Sequence, residues 1–299
     1  MTFANPNYLV ETEWLVAHLG EPDLRVLDCT IDRNTGPDGV TRLASGRGIY
    51  EQGHIPTSVF CDFVEDLTDR ESKLPSMLPP AEQFAEAMSR YGVGEGTRVV
   101  LYDGSRESWP MMWSARVWWM LKVFGFDNAA VLNGGWHKWT LEGRPVSTEP
   151  SSYPPATFTA RYRPELIAQK EEVLASIGAR GTSLVNTLPR DVHAGASTTF
   201  ERSGHIAGSV NVPIVGLVDP VTHAYLPAEE LRRQFEEVGA LDSERVITYC
   251  RAGIAASGGA FVLALLGAPN VAIYDGSLAE WTADPSLPMA TSVTPGRAQ

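Results

Sequence analysis

Cys250 stands where a strand-type run, RVITYC (245–250), gives way to a short loop and then to a helix-type run of small and apolar residues, RAGIAASGGAFVLALLG (251–267). In open parallel sheets chemistry collects at the carboxyl ends of strands, where loops enter helices. A loop of this kind turns several backbone N–H groups inward as a nest, with the positive end of the helix behind it. Gly253 permits the dihedrals such a cradle needs, and Arg251 adds a full positive charge beside the sulfur. All three effects favour the thiolate, the nucleophilic form of cysteine. Cys250 is therefore the candidate catalytic nucleophile, and Arg251, Ala252, Gly253, Ile254, Ala255 and Ala256 form the candidate anion cradle. The plain alternative is one more buried cysteine, a common residue in protein interiors. The strand–loop–helix context, with its flanking glycine and arginine, argues against it. Cys29 and Cys61 lie in apolar runs without such a loop and read as structural. Three cysteines with no CxxC pair suggest neither a disulfide framework nor a zinc site, so free thiols in a reducing compartment and no metal are expected.

The elements that position Cys250 occur twice. GHIPTSV (53–59) returns as GHIAGSV (204–210), RVVLYD (98–103) as RVITYC, and NGGWHKW (133–139) as DGSLAEW (275–281). The three matches keep their order and are separated by 151, 147 and 142 positions, so the chain reads as two tandem copies of one domain. The expected boundaries are 1–146 for the first copy, 147–163 for a linker and 164–299 for the second. The seam STEPSSYPPATFTARYRP (147–164) crowds proline, serine and threonine and carries no apolar period, which fits an extended surface segment. The tail beyond Met289 is expected to fray.

Within each copy short apolar runs alternate with helix-type stretches. LRVLDCT, TSVFCDF, RVVLYD and NAAVLN in the first copy correspond to TSLVNT, SVNVPI, RVITYC and NVAIYD in the second. Such runs suit a parallel sheet covered on both faces. PPAEQFAEAMSRYG (79–92) and LPAEELRRQFEEVG (226–239) have helical spacing, proline near the start and glycine at the end. SWPMMWSARVWWMLKVFG (108–125) and the stretch after Gly253 are further helices. The fold class is α/β, with a mainly parallel sheet flanked by helices in each half. At the position aligned with Cys250 the first copy has Asp103. A carboxylate has no sulfur to take the place of the thiolate, and it would fill the cradle with its own charge. The first copy is thus expected to be inert and the second catalytic.

The net charge of −12 argues against a nucleic-acid binder, which needs a basic face. It also means that a small anion would need a local positive pocket. No run approaches the roughly 18 uninterrupted apolar residues of a membrane span. The N-terminal residues MTFANPNYLVETEW have no basic region followed by an apolar stretch, so no signal peptide is read and a cytoplasmic location is expected.

Taken together, GHIPTSVFCDF, MLPPAEQFAEAMSRYGVG, RVWWMLKVFG, NGGWHKW, GHIAGSVNVP, CRAGIAA and YDGSLAEW resemble the tandem-domain rhodanese-like sulfurtransferases of the thiosulfate and 3-mercaptopyruvate type, over nearly the whole chain from about Tyr8 to Met289. That family also pairs an inactive N-terminal copy with an active C-terminal one. The resemblance implies two tandem rhodanese-like domains and a thiosulfate sulfurtransferase, with 3-mercaptopyruvate as the second choice of donor. It implies a small anionic sulfur donor, a persulfide on Cys250, a thiol or cyanide as acceptor, and no cofactor. The mercaptopyruvate branch resembles C-G-S-G-V and the thiosulfate branch C-R-K-G-V-T. Here Arg251 is kept, which tips the reading toward thiosulfate, while Ala252 stands where serine or lysine would and Ala255 replaces threonine. Where the family has D-x-R after the first strand of the active copy, this chain reads Asn186-Thr187-Leu188. Arg190 nearby, and Arg202 just before the second GHI, are the candidate substrate arginines.

His54 and His205 occur in both copies and are assigned to structure, as are Trp139 and Trp281. The cluster Trp109, Trp113, Trp118 and Trp119 reads as helix packing or as the interface between copies. A cysteine phosphatase would need an arginine six residues after the cysteine, and position 256 is Ala256. A non-catalytic persulfide carrier or sensor that docks on a partner protein needs the same Cys250 and remains the alternative.

Overall fold

The computed structural model describes residues 2–36, 41–104, 111–196 and 202–292. Its strands are β1 (Leu9–Val10), β2 (Leu24–Asp28), β3 (Ile31–Thr35), β4 (Thr41–Ser45), β5 (Val59–Phe60), β6 (Arg98–Tyr102), β7 (Ala129–Leu132), β8 (Ile167–Ala168), β9 (Thr182–Asn186), β10 (His205–Ile206), β11 (Val210–Asn211), β12 (Arg245–Tyr249), β13 (Val271–Tyr274) and β14 (Met289–Ala290). The first half builds a five-stranded sheet in the order β1-β7-β6-β2-β5, and the second repeats it as β8-β13-β12-β9-β11. All pairs in both sheets are parallel. The register repeats as well. Asp28 pairs with Tyr102 at the end of β2 and β6, and Asn186 with Tyr249 at the end of β9 and β12. Because the strands are parallel, all their carboxyl ends open on one edge of each sheet, which puts Asp103 and Cys250 at equivalent places one residue beyond β6 and β12.

The helices are α1 (Thr12–His18), α2 (Arg47–Gln52), α3 (Phe63–Asp66), α4 (Ala81–Arg90), α5 (Met112–Val123), α6 (Gly135–Leu141), α7 (Lys170–Ser176), α8 (Arg190–Ala194), α9 (Ala228–Glu236), α10 (Ile254–Leu265) and α11 (Ser277–Trp281). The amphipathic pair α4 and α9 each start behind a proline and bury apolar residues four apart, Phe84 and Met88 in one, Leu231 and Phe235 in the other. By contrast α5 and α10 are buried nearly all round. They pack on each other, with Trp118 edge-on to Phe261 at a centroid distance of 4.9 Å, and one continuous apolar core runs through both halves. No helix among the described residues is long and apolar enough to cross a membrane.

Each GHI motif is held by the same device. The buried hydroxyl of Tyr102 accepts from the Ile55 N–H at 3.1 Å and meets Ser58 Oγ at 2.9 Å; that of Tyr249 accepts from Ile206 and meets Ser209 Oγ at 2.6 Å. His54 is fully buried, with ring nitrogens on the carbonyls of Tyr50 and Glu149, and His205 places Nδ1 on His193 O. Trp139 and Trp281 are buried with Nε1 on Pro145 O and Pro288 O. Residues 148–163 form no helix or strand and run along the first half, with Ala156 N–H on Ser89 O and Arg161 N–H on Phe124 O.

The first half has a feature without a counterpart among the described residues of the second. Between β2 and α2 the chain forms the antiparallel ribbon β3–β4, which sets Arg33 opposite Leu43. This ribbon is polar (IDRNT and TRLAS), so its sequence carries no apolar alternation to announce it. Trp109 and residues 293–299, for which packing and fraying were expected, lie outside the described residues.

Candidate active site

Cys250 is 2% exposed and forms part of the wall of a cavity of about 500 Å3. Both halves build this cavity. The second half gives Cys250, Arg251, Ala252, Ile254 and Ala255 from the loop and the start of α10, with Leu188 and Val192 beside them. The first half gives Arg33 and Leu43 from the ribbon, Phe63 and Val64 from α3, and Met112 and Trp113 from α5. Most of this lining is apolar. Arg33 and Arg251 are the charged residues among its described lining.

The loop under Cys250 is tied from behind. Ser277 Oγ accepts from the N–H groups of Cys250 at 3.1 Å and Gly253 at 3.2 Å and donates to Tyr274 O at 2.8 Å. The carbonyls of Cys250 and Arg251 accept from Leu278 and Ala279 in α11. Gly253 has φ 76°, and a side chain there would bring its first carbon to 2.3 Å from Asp275 Oδ1. Only glycine satisfies both the dihedral and the space. Thr248 Oγ1 donates to Ala256 O at 3.0 Å and Ser257 Oγ to Gly253 O at 2.8 Å, which fixes the first turn of α10. Among the described residues no acceptor meets the N–H groups of Ala252, Ile254, Ala255 or Ala256. A helix start leaves such donors open, and here they belong to the segment that borders Cys250. The arrangement suits an anionic sulfur held at the cavity floor.

At the equivalent place in the first half, Asp103 Oδ2 accepts from both the N–H and the hydroxyl of Ser114, each at 2.9 Å. Its own carboxylate thus occupies the start of α5. Alongside, Asp28 is buried and its carboxyl is pushed up to about 6, chiefly by loss of solvent, against hydrogen bonds from Thr30 and Tyr102 that favour the anion. The counterpart Asn186 does the same structural work without charge: its Oδ1 accepts from Leu188 N–H at 2.9 Å, as Asp28 Oδ1 accepts from Thr30 N–H at 2.8 Å.

The structure brings Cys250 and the loop residues together, but not the two arginines expected to bind substrate. Arg202 donates to Asp284 O and Leu287 O, both at 2.7 Å, and clamps the segment before β14. Arg190 is exposed at the start of α8. Val192, two residues on, faces the cavity, and two residues turn a helix about 200°. Neither arginine lines the cavity. Gly253 and Ala256 stand behind it rather than in its wall. Trp113, expected as helix packing or as the interface between copies, is a core residue that also lines the cavity. The reading of the sequence passed over Ser277. Its signal was the serine at 277 where the other copy has Gly135; the structure gives the two residues φ 48° and 51°. A serine in a backbone conformation that glycine prefers marks a hydroxyl in use.

A family model for the rhodanese-like domain matches this chain twice, over residues 11–142 and 171–284. A thiosulfate sulfurtransferase of Rattus norvegicus is 36% identical over 281 residues, 91% of each chain. The sulfur carrier protein TtuD of Thermus thermophilus is 34% identical over 97% of this chain and 99% of its own. Among solved structures SseA from Escherichia coli, described as a 3-mercaptopyruvate sulfotransferase, superposes with a TM-score of 0.78 at 30% identity, covering 90% of this chain and 98% of that one. Matched in both halves, with the same sheet repeated in each, this chain belongs to the rhodanese family.

Proposed function

We propose that the protein is a thiosulfate sulfurtransferase that carries sulfur on Cys250. The observation that carries the proposal is the position of Cys250 in the wall of the two-domain cavity, beside a loop in which the N–H groups of Ala252, Ile254, Ala255 and Ala256 meet no acceptor among the described residues. In the first step the Cys250 thiolate attacks the outer sulfur of thiosulfate. The S–S bond of the donor breaks, sulfite leaves with the electron pair, and Cys250 becomes a persulfide. The open N–H groups of Ala252, Ile254, Ala255 and Ala256 stabilise its terminal sulfur, as preorganised donors do for developing anions. In the second step cyanide or a thiolate attacks that terminal sulfur, the persulfide S–S bond breaks, and the Cys250 thiolate returns. This is ping-pong covalent catalysis in which no metal or cofactor takes part.

The half with Asp103 is inert in this scheme and supplies a wall. The cavity is larger than thiosulfate or cyanide requires, and its apolar lining suits an acceptor with an organic body. The Thermus thermophilus relative is a sulfur carrier protein, which supports sulfur being held on the chain between donor and acceptor. Arg251, with no serine at Ala252, supports thiosulfate over 3-mercaptopyruvate as donor. A cytoplasmic setting belongs to the same proposal and is supported by the free thiols of Cys29, Cys61 and Cys250. The test is to measure kcat/KM for both donors with cyanide as acceptor. Thiosulfate should give the higher value. The reverse order would overturn the donor assignment, and no thiocyanate from either donor, with a persulfide still formed on Cys250, would favour a non-catalytic carrier.

A further inference from the structure

One ion pair is buried across the boundary between the two halves. Arg116, on α5 of the first half, is fully buried, and its Nη1 lies 2.6 Å from Oδ1 of Asp275, which follows β13 in the second. Burying two charges is costly unless they are held in place by further contacts, and each partner has them. Arg116 Nη2 donates to Ser76 O at 2.8 Å, and its guanidinium stacks on Trp119 at 4.8 Å. Asp275 Oδ2 accepts from Leu78 N–H at 2.8 Å. Pro75 and Ser76 line the Cys250 cavity. On its other side the pair touches the back of the cysteine loop: an added carbon on Gly253 would lie 2.3 Å from Asp275 Oδ1 and 2.9 Å from Arg116 Nη1. The pair therefore stands between the loop that bears Cys250 and the wall that faces it.

The duplication shows which part of this contact is architectural. Asn133 aligns with Asp275, and its Oδ1 accepts from Tyr225 N–H at 2.8 Å, just as Asp275 accepts from Leu78 in the opposite half. Tyr225 and Leu78 are themselves aligned, one residue before the matching LPAEE and PPAEQ stretches. The interdomain hydrogen bond is thus made twice, once by a neutral amide and once by a carboxylate. The position aligned with Arg116 is Gly258, and the one aligned with Gly253 is Met111, which keeps the same left-handed dihedral at φ 65°. A neutral amide meets the needs of domain docking. The charged version occurs on the side that carries Cys250.

We infer that Arg116 and Asp275 are positioning residues for sulfur transfer: their ion pair fixes the Cys250 loop against the Pro75–Leu78 wall of the cavity. As a pair they are neutral, so they add geometry rather than net charge to the anion site. The inference rests on the proposed role of Cys250. Displacing reacting groups by about 1 Å can cost roughly 100-fold in rate, so a loosened loop should slow the chemical step while leaving docking intact.

The test uses Arg116→Met/Asp275→Asn, which recreates the neutral chemistry of the inert side and leaves no unpaired buried charge, alongside Arg116→Lys, whose ammonium still reaches Asp275. Three readouts are taken on the full chain: thermal unfolding, single-turnover persulfide formation from thiosulfate, and the rate at which iodoacetate alkylates Cys250. The double variant should unfold within a few degrees of the parent, yet form persulfide and alkylate at least ten-fold more slowly, with Arg116→Lys recovering most of both rates. A folded double variant with parental rates would overturn the inference. So would a double variant whose rates fall only in proportion to its unfolded fraction. If the parent itself takes no sulfur from thiosulfate, the proposed reaction fails, while alkylation still decides the role of the pair.

Discussion

Asp28→Asn should make the protein more stable at neutral pH, and the size of the gain follows from the fold. Asp28 ends β2, is 3% exposed, and keeps its proton up to about 6, against an ordinary value of 3.8. Between those two values the folded chain binds a proton that the unfolded chain has released, so stability falls as pH rises through that window. Above it the folded state holds a buried carboxylate, at a cost of roughly 3 kcal/mol relative to acid pH. Asparagine removes that cost and keeps the acceptor for Thr30 N–H, as Asn186 does for Leu188 in the other half. Urea unfolding at intervals from pH 4 to pH 8 would measure the difference between variant and parent. The variant should gain on the order of 2–3 kcal/mol at pH 7.5, with the gain shrinking toward pH 4. A variant no more stable than the parent at pH 7.5, or one whose advantage grows as pH falls, would refute the reasoning. The mirror substitution, Asn186→Asp, should destabilise with the opposite pH dependence.

Three further outcomes follow from the loop. Gly253→Ala meets both a left-handed dihedral and a side-chain carbon 2.3 Å from Asp275 Oδ1, whereas Gly143→Ala, at φ 64°, meets open space. The second should lose about 1–2 kcal/mol of stability from strain alone, and the first roughly 3 kcal/mol more, since the buried pair must part; equal losses would show that the pair yields without cost. Ser277→Ala strips the acceptor from two buried N–H groups and should cost about 2–4 kcal/mol in denaturant unfolding and lower kcat for transfer; an effect under 0.5 kcal/mol would mean that water replaces the hydroxyl. Cys250→Ser should abolish thiocyanate formation while its unfolding midpoint stays near the parent's, and activity above a few per cent of the parent's would contradict a role for the sulfur.

The strands and helices that carry Cys250 were legible because each is short, apolar and repeated, so that β12 and α10 could be checked against β6 and α5. What escaped was of three kinds. The β3–β4 ribbon is polar and is not repeated among the described residues of the second copy, so neither periodicity nor repetition pointed to it. The cavity joins Leu43, Val64 and Trp113 to Val192 and Ala255, and no local pattern links residues so far apart in the chain. Arg202 was assigned by its place before GHI, but its partners are the carbonyls of Asp284 and Leu287, 82 and 85 residues away. Arg116 and Ser277 were visible as oddities, a charge inside an apolar helix and a serine where the other copy has glycine. Their meaning needed the fold, because each acts on the Cys250 loop from a different part of the chain.

The central claim is that Cys250 alone holds the travelling sulfur. Mass spectrometry of peptides from protein treated with thiosulfate, before and after cyanide, tests it most directly. One added sulfur atom is expected on the Cys250 peptide and none on those of Cys29 or Cys61, with cyanide removing it as thiocyanate. Sulfur on Cys29 or Cys61, or a Cys250 peptide left unchanged while thiocyanate accumulates, would contradict the claim.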